Sequence, residues 1–129
     1  MEGKRGASMV ERFEQLEVWQ QSHQLVLDLY RVTQPFPADE RFGLTSQIRR
    51  AALAIPTNIA EGGARGHRKE YLQFCYVARG SAAELRYLLR VSADLGYLSK
   101  TGWERSTTQL IRIEQMLNGL IRALRRHPD

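Results

Sequence analysis

The 129-residue sequence has one cysteine, three histidines and four prolines, and each scarcity excludes something. A single thiol, Cys75, cannot form an internal disulfide, which suits a reducing compartment. His23, His67 and His127 are isolated, and one cysteine cannot complete a zinc cluster. The repeated Glu-x-x-His pattern of carboxylate-bridged metal bundles is missing as well. No metal and no cofactor are therefore expected. No apolar run approaches the roughly 18 residues that span a bilayer. The opening MEGKRGASMVERF carries basic residues without the apolar stretch of a secretory signal. The expectation is a cytoplasmic protein without membrane contact, with residues 1–12 a flexible arm and residues 127–129 a tail. The glycine-rich EGGARGHRKE follows no strand and lacks the Gly-Lys-Ser/Thr ending of a phosphate loop, so it is read as a turn between helices.

What is present is helical periodicity. Apolar residues make up 43% of the chain, enough for one core in residues 13–126. Four segments repeat apolar residues at steps of three and four. The first, about 13–33, places Leu16, Trp19, His23, Val26, Leu27 and Tyr30 on one face, with His23 a core histidine. QPFPADERFG ends it, because Pro35 and Pro37 cannot continue a helix. The second, from about 39 or 40 to 65, carries Leu44, Ile48, Ala52, Ile55 and Ile59. Gly62, Gly63 and Gly66 close it, since glycine accepts the positive φ of a helix end. The third, about 68–95, carries Tyr71, Phe74, Ala78, Ala82, Leu85, Leu89 and Ser92, and Gly96 ends it. The fourth, about 103–125, carries Leu110, Ile113, Leu117, Leu120, Ile121 and Leu124. Helices of this length on short connections predict an all-α fold, an antiparallel up-down-up-down four-helix bundle.

Pro56 interrupts the second segment. It has no N–H for the carbonyl of Ala52, and its ring crowds that carbonyl, at a cost of about 3 kcal/mol in a straight helix. The apolar stripe keeps phase from Ile55 to Ile59, so one kinked helix is expected rather than two. Thr57 and Asn58 are placed to bond the freed carbonyls. Ala51, Ala52 and Ala54 would let another backbone approach closely, within or between chains.

The formal net charge is +5, and it is unevenly spread. Residues 1–48 sum to −2, residues 49–100 to +5 and residues 101–129 to +2. At 100° per residue, Arg68, Arg79, Arg86 and Arg90 fall within roughly 40° of one another on the third segment. Tyr76 and Tyr87 flank that stripe. Arginine forks match phosphates and tyrosines stack on exposed bases. The same stripe contains Leu72 and Cys75, so a solvated face or a subunit interface fits it too. Arg49 and Arg50 open the second segment, and Arg122, Arg125 and Arg126 form a basic end to the fourth. Glu61 is spaced to pair with Arg65, and Glu84 with an arginine of a neighbouring helix or chain. Trp103 is either a core lid or an interface anchor.

The runs FGLTSQIRRAALAIPTNIAEG, KEYLQFCYVARGSAAELRYLL and LGYL resemble bacterial four-helix-bundle proteins encoded in intervening sequences of large-subunit ribosomal RNA genes. They are also similar to the accessory variability determinant proteins of diversity-generating retroelements. FEQLEVWQQSHQLVLDLY and the PFP turn fit the same pattern, so the resemblance covers roughly residues 13–124. Its motif positions here are Pro56, Asn58, Glu61, Gly62, Gly80, Ser81 and Glu84. Ala54 departs from it, standing where serine is common. The resemblance implies a homopentameric ring. For the retroelement relatives it implies binding of nucleic acid and of a reverse transcriptase.

The leading expectation is a non-enzymatic homo-oligomer, a pentamer, that binds nucleic acid, chiefly RNA, without strong sequence specificity. The candidate contacts are Arg49, Arg50, Arg68, Arg79, Arg86, Arg90, Arg122, Arg125 and Arg126. The alternative is a protein-interaction adaptor, such as an accessory subunit of a reverse transcriptase. No catalytic residue is expected, because no substrate pocket accompanies the carboxylates.

Overall fold

A computed structural model describes residues 13–126. The expected arm and tail lie outside the described residues. Within them the chain is helical and contains no strand. Four long helices follow in order: α1 (Glu17–Thr33), α2 (Leu44–Ala64), α3 (Arg68–Asp94) and α4 (Lys100–Arg126). Residues 13–15 are also helical, and a short 3-10 turn, Ala38–Glu40, precedes α2.

The sequence explains where the helices stop. Gly66 and Gly96 adopt φ values of 78° and 82° just beyond α2 and α3, a region that side chains with a Cβ avoid. α2 starts at Leu44 rather than near residue 39 or 40, because 38–40 form the separate 3-10 turn. Glu40 serves that start directly. Its carboxylate accepts the Leu44 N–H at 3.1 Å and the Tyr97 hydroxyl at 3.2 Å. A carboxylate at a helix N-terminus is stabilised by the orphan amides there, and this one also holds the α3–α4 loop.

α1 packs on α2, α2 on α3, α3 on α4, and α4 closes back on α1, whereas the diagonal pairs do not touch. This is a helical bundle around one core. Its centre holds Leu25, Leu29, Ile48, Ile55, Ile59, Leu85, Leu89, Leu110, Ile113, Leu117 and Ile121, all essentially inaccessible to solvent. The stripes read for α2, α3 and α4 supply nearly all of it.

The α1 face is rotated from the expected one. Val18, Ser22, Leu25, Val26, Leu29 and Thr33 are buried, while His23, Leu27 and Tyr30 are exposed. The reason is polar residues on the core side. The Ser22 hydroxyl donates to Trp19 O at 3.0 Å and the Thr33 hydroxyl to Leu29 O at 2.7 Å. Satisfied by their own helix, both are buried at little cost, but they break the apolar pattern. His23 is therefore no core residue; its ring stacks on Trp19 at 5.1 Å with the planes 8° apart.

α2 runs continuously through Pro56, which is buried. Asn58 Nδ2 donates to Ala54 O at 2.7 Å. That is the carbonyl one turn before Asn58, not the Ala52 carbonyl that Pro56 deprives of its donor.

Candidate nucleic-acid interface

The two seams made by α3 differ in chemistry. On the α2 side, small residues allow close approach. A Cβ at Gly62 would lie 2.8 Å from Phe74 Cβ and 2.9 Å from Tyr71 Cδ1, so only glycine fits. Beneath this contact Cys75 is fully buried. Burial pushes its thiol up to about 12, and burial together with Cys75 pushes Tyr71 up to about 12. A thiol so disfavoured as thiolate is a packing residue, not a nucleophile. Further along, Gln47, Arg50, Ala51, Ala54, Ser81 and Glu84 line a groove of about 450 Å³. Neither Arg50 nor Glu84 forms an ion pair among the described residues. Glu61 is likewise exposed and does not meet Arg65 as expected. Arg65 lies just past the end of α2, where its guanidinium covers the Phe74 ring at 5.1 Å and reaches Glu70 at 3.9 Å.

On the α4 side lie the arginines of the third segment, and the structure divides them by partner. Arg86 pairs with Glu114 at 3.5 Å and Arg90 with Asp94 at 3.1 Å, so carboxylates neutralise both. Arg79 and Arg125 are held by neutral groups instead. Arg79 donates to Asn118 Oδ1 at 3.3 Å, and Arg125 Nε donates to the Tyr76 hydroxyl at 2.8 Å. Their guanidinium carbons stand 5.1 Å and 5.4 Å from the centre of the Tyr76 ring. Arg68 donates to Leu124 O at 2.7 Å, at the same end of the seam. A cation at the C-terminal carbonyls of a helix is favoured by the helix dipole. Arg122 and Arg126 are exposed and make no side-chain hydrogen bond or ion pair among the described residues.

The structure thus brings Arg68, Arg79, Arg122, Arg125 and Arg126 towards one end of the α3–α4 seam. It leaves Arg86 and Arg90 on the same seam but with acidic partners. It sets Arg49 apart, donating to Thr33 Oγ1 and Tyr30 O at 3.0 and 3.1 Å with its guanidinium over the Tyr30 ring at 4.5 Å. Arg50 faces the α2–α3 groove. Sequence periodicity found the stripe but not its division, because a helical wheel carries no information about the opposite helix. The sequence leaves Tyr76 open to base stacking, a solvated face or an interface; its pairing with Arg125, 49 residues away, has no local signal.

Gly80 sits in the middle of α3, exposed, with nothing within 4 Å of where a Cβ would be. Ser81 and Glu84 continue that side into the groove, and Val77 and Tyr87, on the same outward face, are 54% and 68% exposed. Trp103 is half-buried against the core, with Arg90 6.0 Å from its ring centre. Among the described residues no three His, Cys, Asp or Glu side chains are grouped to hold a metal ion. No described helix is long and apolar enough to cross a membrane.

Comparison with known proteins gives a family and a fold. A family model described as "23S rRNA-intervening sequence protein" matches residues 14–119. The fold is similar to the crystal structure of a protein of unknown function from the S23 ribosomal protein family of Bacteroides thetaiotaomicron. That similarity has a TM-score of 0.72 at 21% identity, over 81% of this chain and 97% of the other. No curated protein matches the sequence.

Proposed function

The chain belongs to the 23S rRNA-intervening sequence protein family, and from that premise we propose a non-enzymatic, homo-oligomeric protein that binds nucleic acid, chiefly RNA. It works in the cytoplasm without a cofactor and holds its ligand through a basic surface without reading sequence. The observation that carries this is the end of the α3–α4 seam. Arg79 and Arg125 are oriented there by an amide, a hydroxyl and an aromatic ring rather than by carboxylates, so their charge stays available. Arg122 and Arg126 add two more cations without acidic partners among the described residues. Fixed, un-neutralised guanidiniums bind phosphates and release counterions.

In this proposal the bundle is antiparallel and up-down-up-down. Contacts that pair the start of α3 with the end of α4, and the end of α3 with the start of α4, support that order. α2 bends at Pro56, which the Asn58-to-Ala54 hydrogen bond supports, since such side-chain bonds back to the helix accompany bends. Five copies form a ring through the outward face of α2 and α3, where Gly80, Val77 and Tyr87 stand open. Such a ring would carry about +25, a field that steers polyanions.

The test is a titration of labelled structured RNA with purified protein at low and near-physiological salt. Tight binding that weakens several-fold or more with salt is expected. No binding at low salt would refute the proposal. A light-scattering mass equal to the 14.8 kDa chain at micromolar concentration would refute the ring.

The α2–α3 groove favours a second function, a protein-interaction adaptor. Arg50 and Glu84 line it without a partner among the described residues, as charges awaiting another protein would. A reverse transcriptase encoded beside the gene would be the partner. Co-purification with it, lost in Arg50→Glu and in Glu84→Arg, together with no RNA binding by the wild-type chain at low salt, would favour the adaptor.

A further inference from the structure

We infer that the basic end of the α3–α4 seam grips the phosphodiester backbone of a double helix and not the bases of a single strand. This rests on the nucleic-acid function proposed above and specifies the form of ligand it takes. Proteins that hold single strands without sequence preference combine cations with free aromatic faces on which bases stack. Here the aromatic among the arginines is Tyr76, and it is not free. Two guanidiniums lie against its ring, its hydroxyl accepts from Arg125 Nε, and the side chain is half-buried. A base could stack there only by displacing an arginine.

The same device recurs across the surface. Arginines also lie over Tyr30, Phe42, Phe74 and Trp103, giving six cation–π contacts in all among the described residues. Aromatic rings here thus repeatedly stand beside guanidiniums. A guanidinium held beside a ring still has N–H groups that phosphate oxygens can meet. Arg79 spends one N–H group on Asn118 and Arg125 spends its Nε–H on Tyr76, and each keeps others. Arg122 and Arg126, exposed on the last turns of α4, add positive charge to these two held guanidiniums. A duplex presents about one phosphate charge per 1.7 Å of axis, more than a single strand offers, and such a cluster gains most from it.

Tyr87 is the exception that provides the control. It is 68% exposed and carries no arginine, on the outward face of α3 about 16 Å along the helix from Tyr76. If bases stack anywhere on α3, they stack there.

The experiment compares the full chain against a labelled RNA duplex and against each of its separated, unstructured strands, by anisotropy at several salt concentrations. The duplex is expected to bind about tenfold tighter than either strand. The slope of log affinity against log salt is expected near −3 to −4, for about four phosphate contacts per chain. Tyr87→Ala, in preparations whose light-scattering mass equals that of the wild type, should leave duplex affinity within about twofold. Tyr76→Phe keeps the ring but removes the hydroxyl that positions Arg125, and should weaken duplex binding several-fold without altering helicity. A single strand bound as tightly as the duplex, or a tenfold loss in Tyr87→Ala at unchanged light-scattering mass, would overturn the inference while leaving nucleic-acid binding intact. Failure of the wild type to bind either form at low salt would overturn the proposed function itself.

Discussion

The two seams of α3 use the same helix for opposite ends. Towards α2 it packs tightly against small residues, burying Cys75 and fitting Phe74 and Tyr71 around Gly62. Towards α4 it displays arginines, Arg86 and Arg90 neutralised by carboxylates and Arg79 held by an amide, while Arg125 reaches back from α4 to Tyr76. The difference shows that a charged stripe on a helical wheel is not one functional unit. What matters is the partner each residue finds, on the neighbouring helix for Arg86 and one turn on within α3 for Arg90. A carboxylate partner consumes the charge, whereas an amide, a hydroxyl or an aromatic ring orients it and leaves it available.

The largest effect should come from forcing the tight seam open. Gly62→Val places atoms where Phe74 and Tyr71 already stand, and it should cost about 3 kcal/mol, lowering the melting temperature by roughly 10 °C. An unchanged melting curve would mean the seam is looser than its geometry. Next, alkaline pH attacks the same seam without mutation. Cys75 and Tyr71 titrate higher folded than unfolded, from 9.0 and 10.0 up to about 12 each. The folded state holds its protons longer, so stability is full below about pH 9 and declines as pH rises towards 12. Denaturant titrations should show the midpoint falling steadily across that window. Cys75→Ala should remove the part that begins near pH 9. In the folded protein at neutral pH, Cys75 should also resist alkylation until the chain is unfolded.

On the arginine seam, neutralising Arg122 and Arg126 to glutamine should weaken RNA binding roughly tenfold at low salt and flatten its salt dependence. The matched change at Arg86 and Arg90 should cost less than about threefold, because Glu114 and Asp94 already offset those charges. Equal losses in both variants would erase the distinction between paired and available arginines. The smallest effect separates the two glycines. Gly80→Ala adds a methyl group into open space and should raise the stability of the dilute single chain by up to about 1 kcal/mol. The same change should lower the light-scattering mass if another copy rests on that face. A stabilised chain with unaltered assembly would place the subunit contact elsewhere.

Much of this architecture was legible from periodicity. The stripes of α2, α3 and α4 and the turns at Gly66 and Gly96 follow from local spacing and from the residues' own chemistry, whereas Gly62 and Gly63, expected to close α2, lie within it because the Tyr71 and Phe74 side chains crowd that face. The α1 face was not legible, since Ser22 and Thr33 occupy core positions by bonding to their own helix and so disguise the pattern. His23 and Tyr30 were misplaced for that reason. Of the candidate contacts, the arginines themselves were visible in the sequence. Their sorting into neutralised and available was not, and neither was the contact between Tyr76 and Arg125.

The sequence by itself determined helices, their limits and most of their buried faces, because those depend on the 3.6-residue repeat and on backbone geometry within a few residues. Only the tertiary structure decided which charges remain free to act. That outcome depends on groups tens of residues apart, such as Arg86 with Glu114 or Arg79 with Asn118, which meet only when α4 is laid against α3.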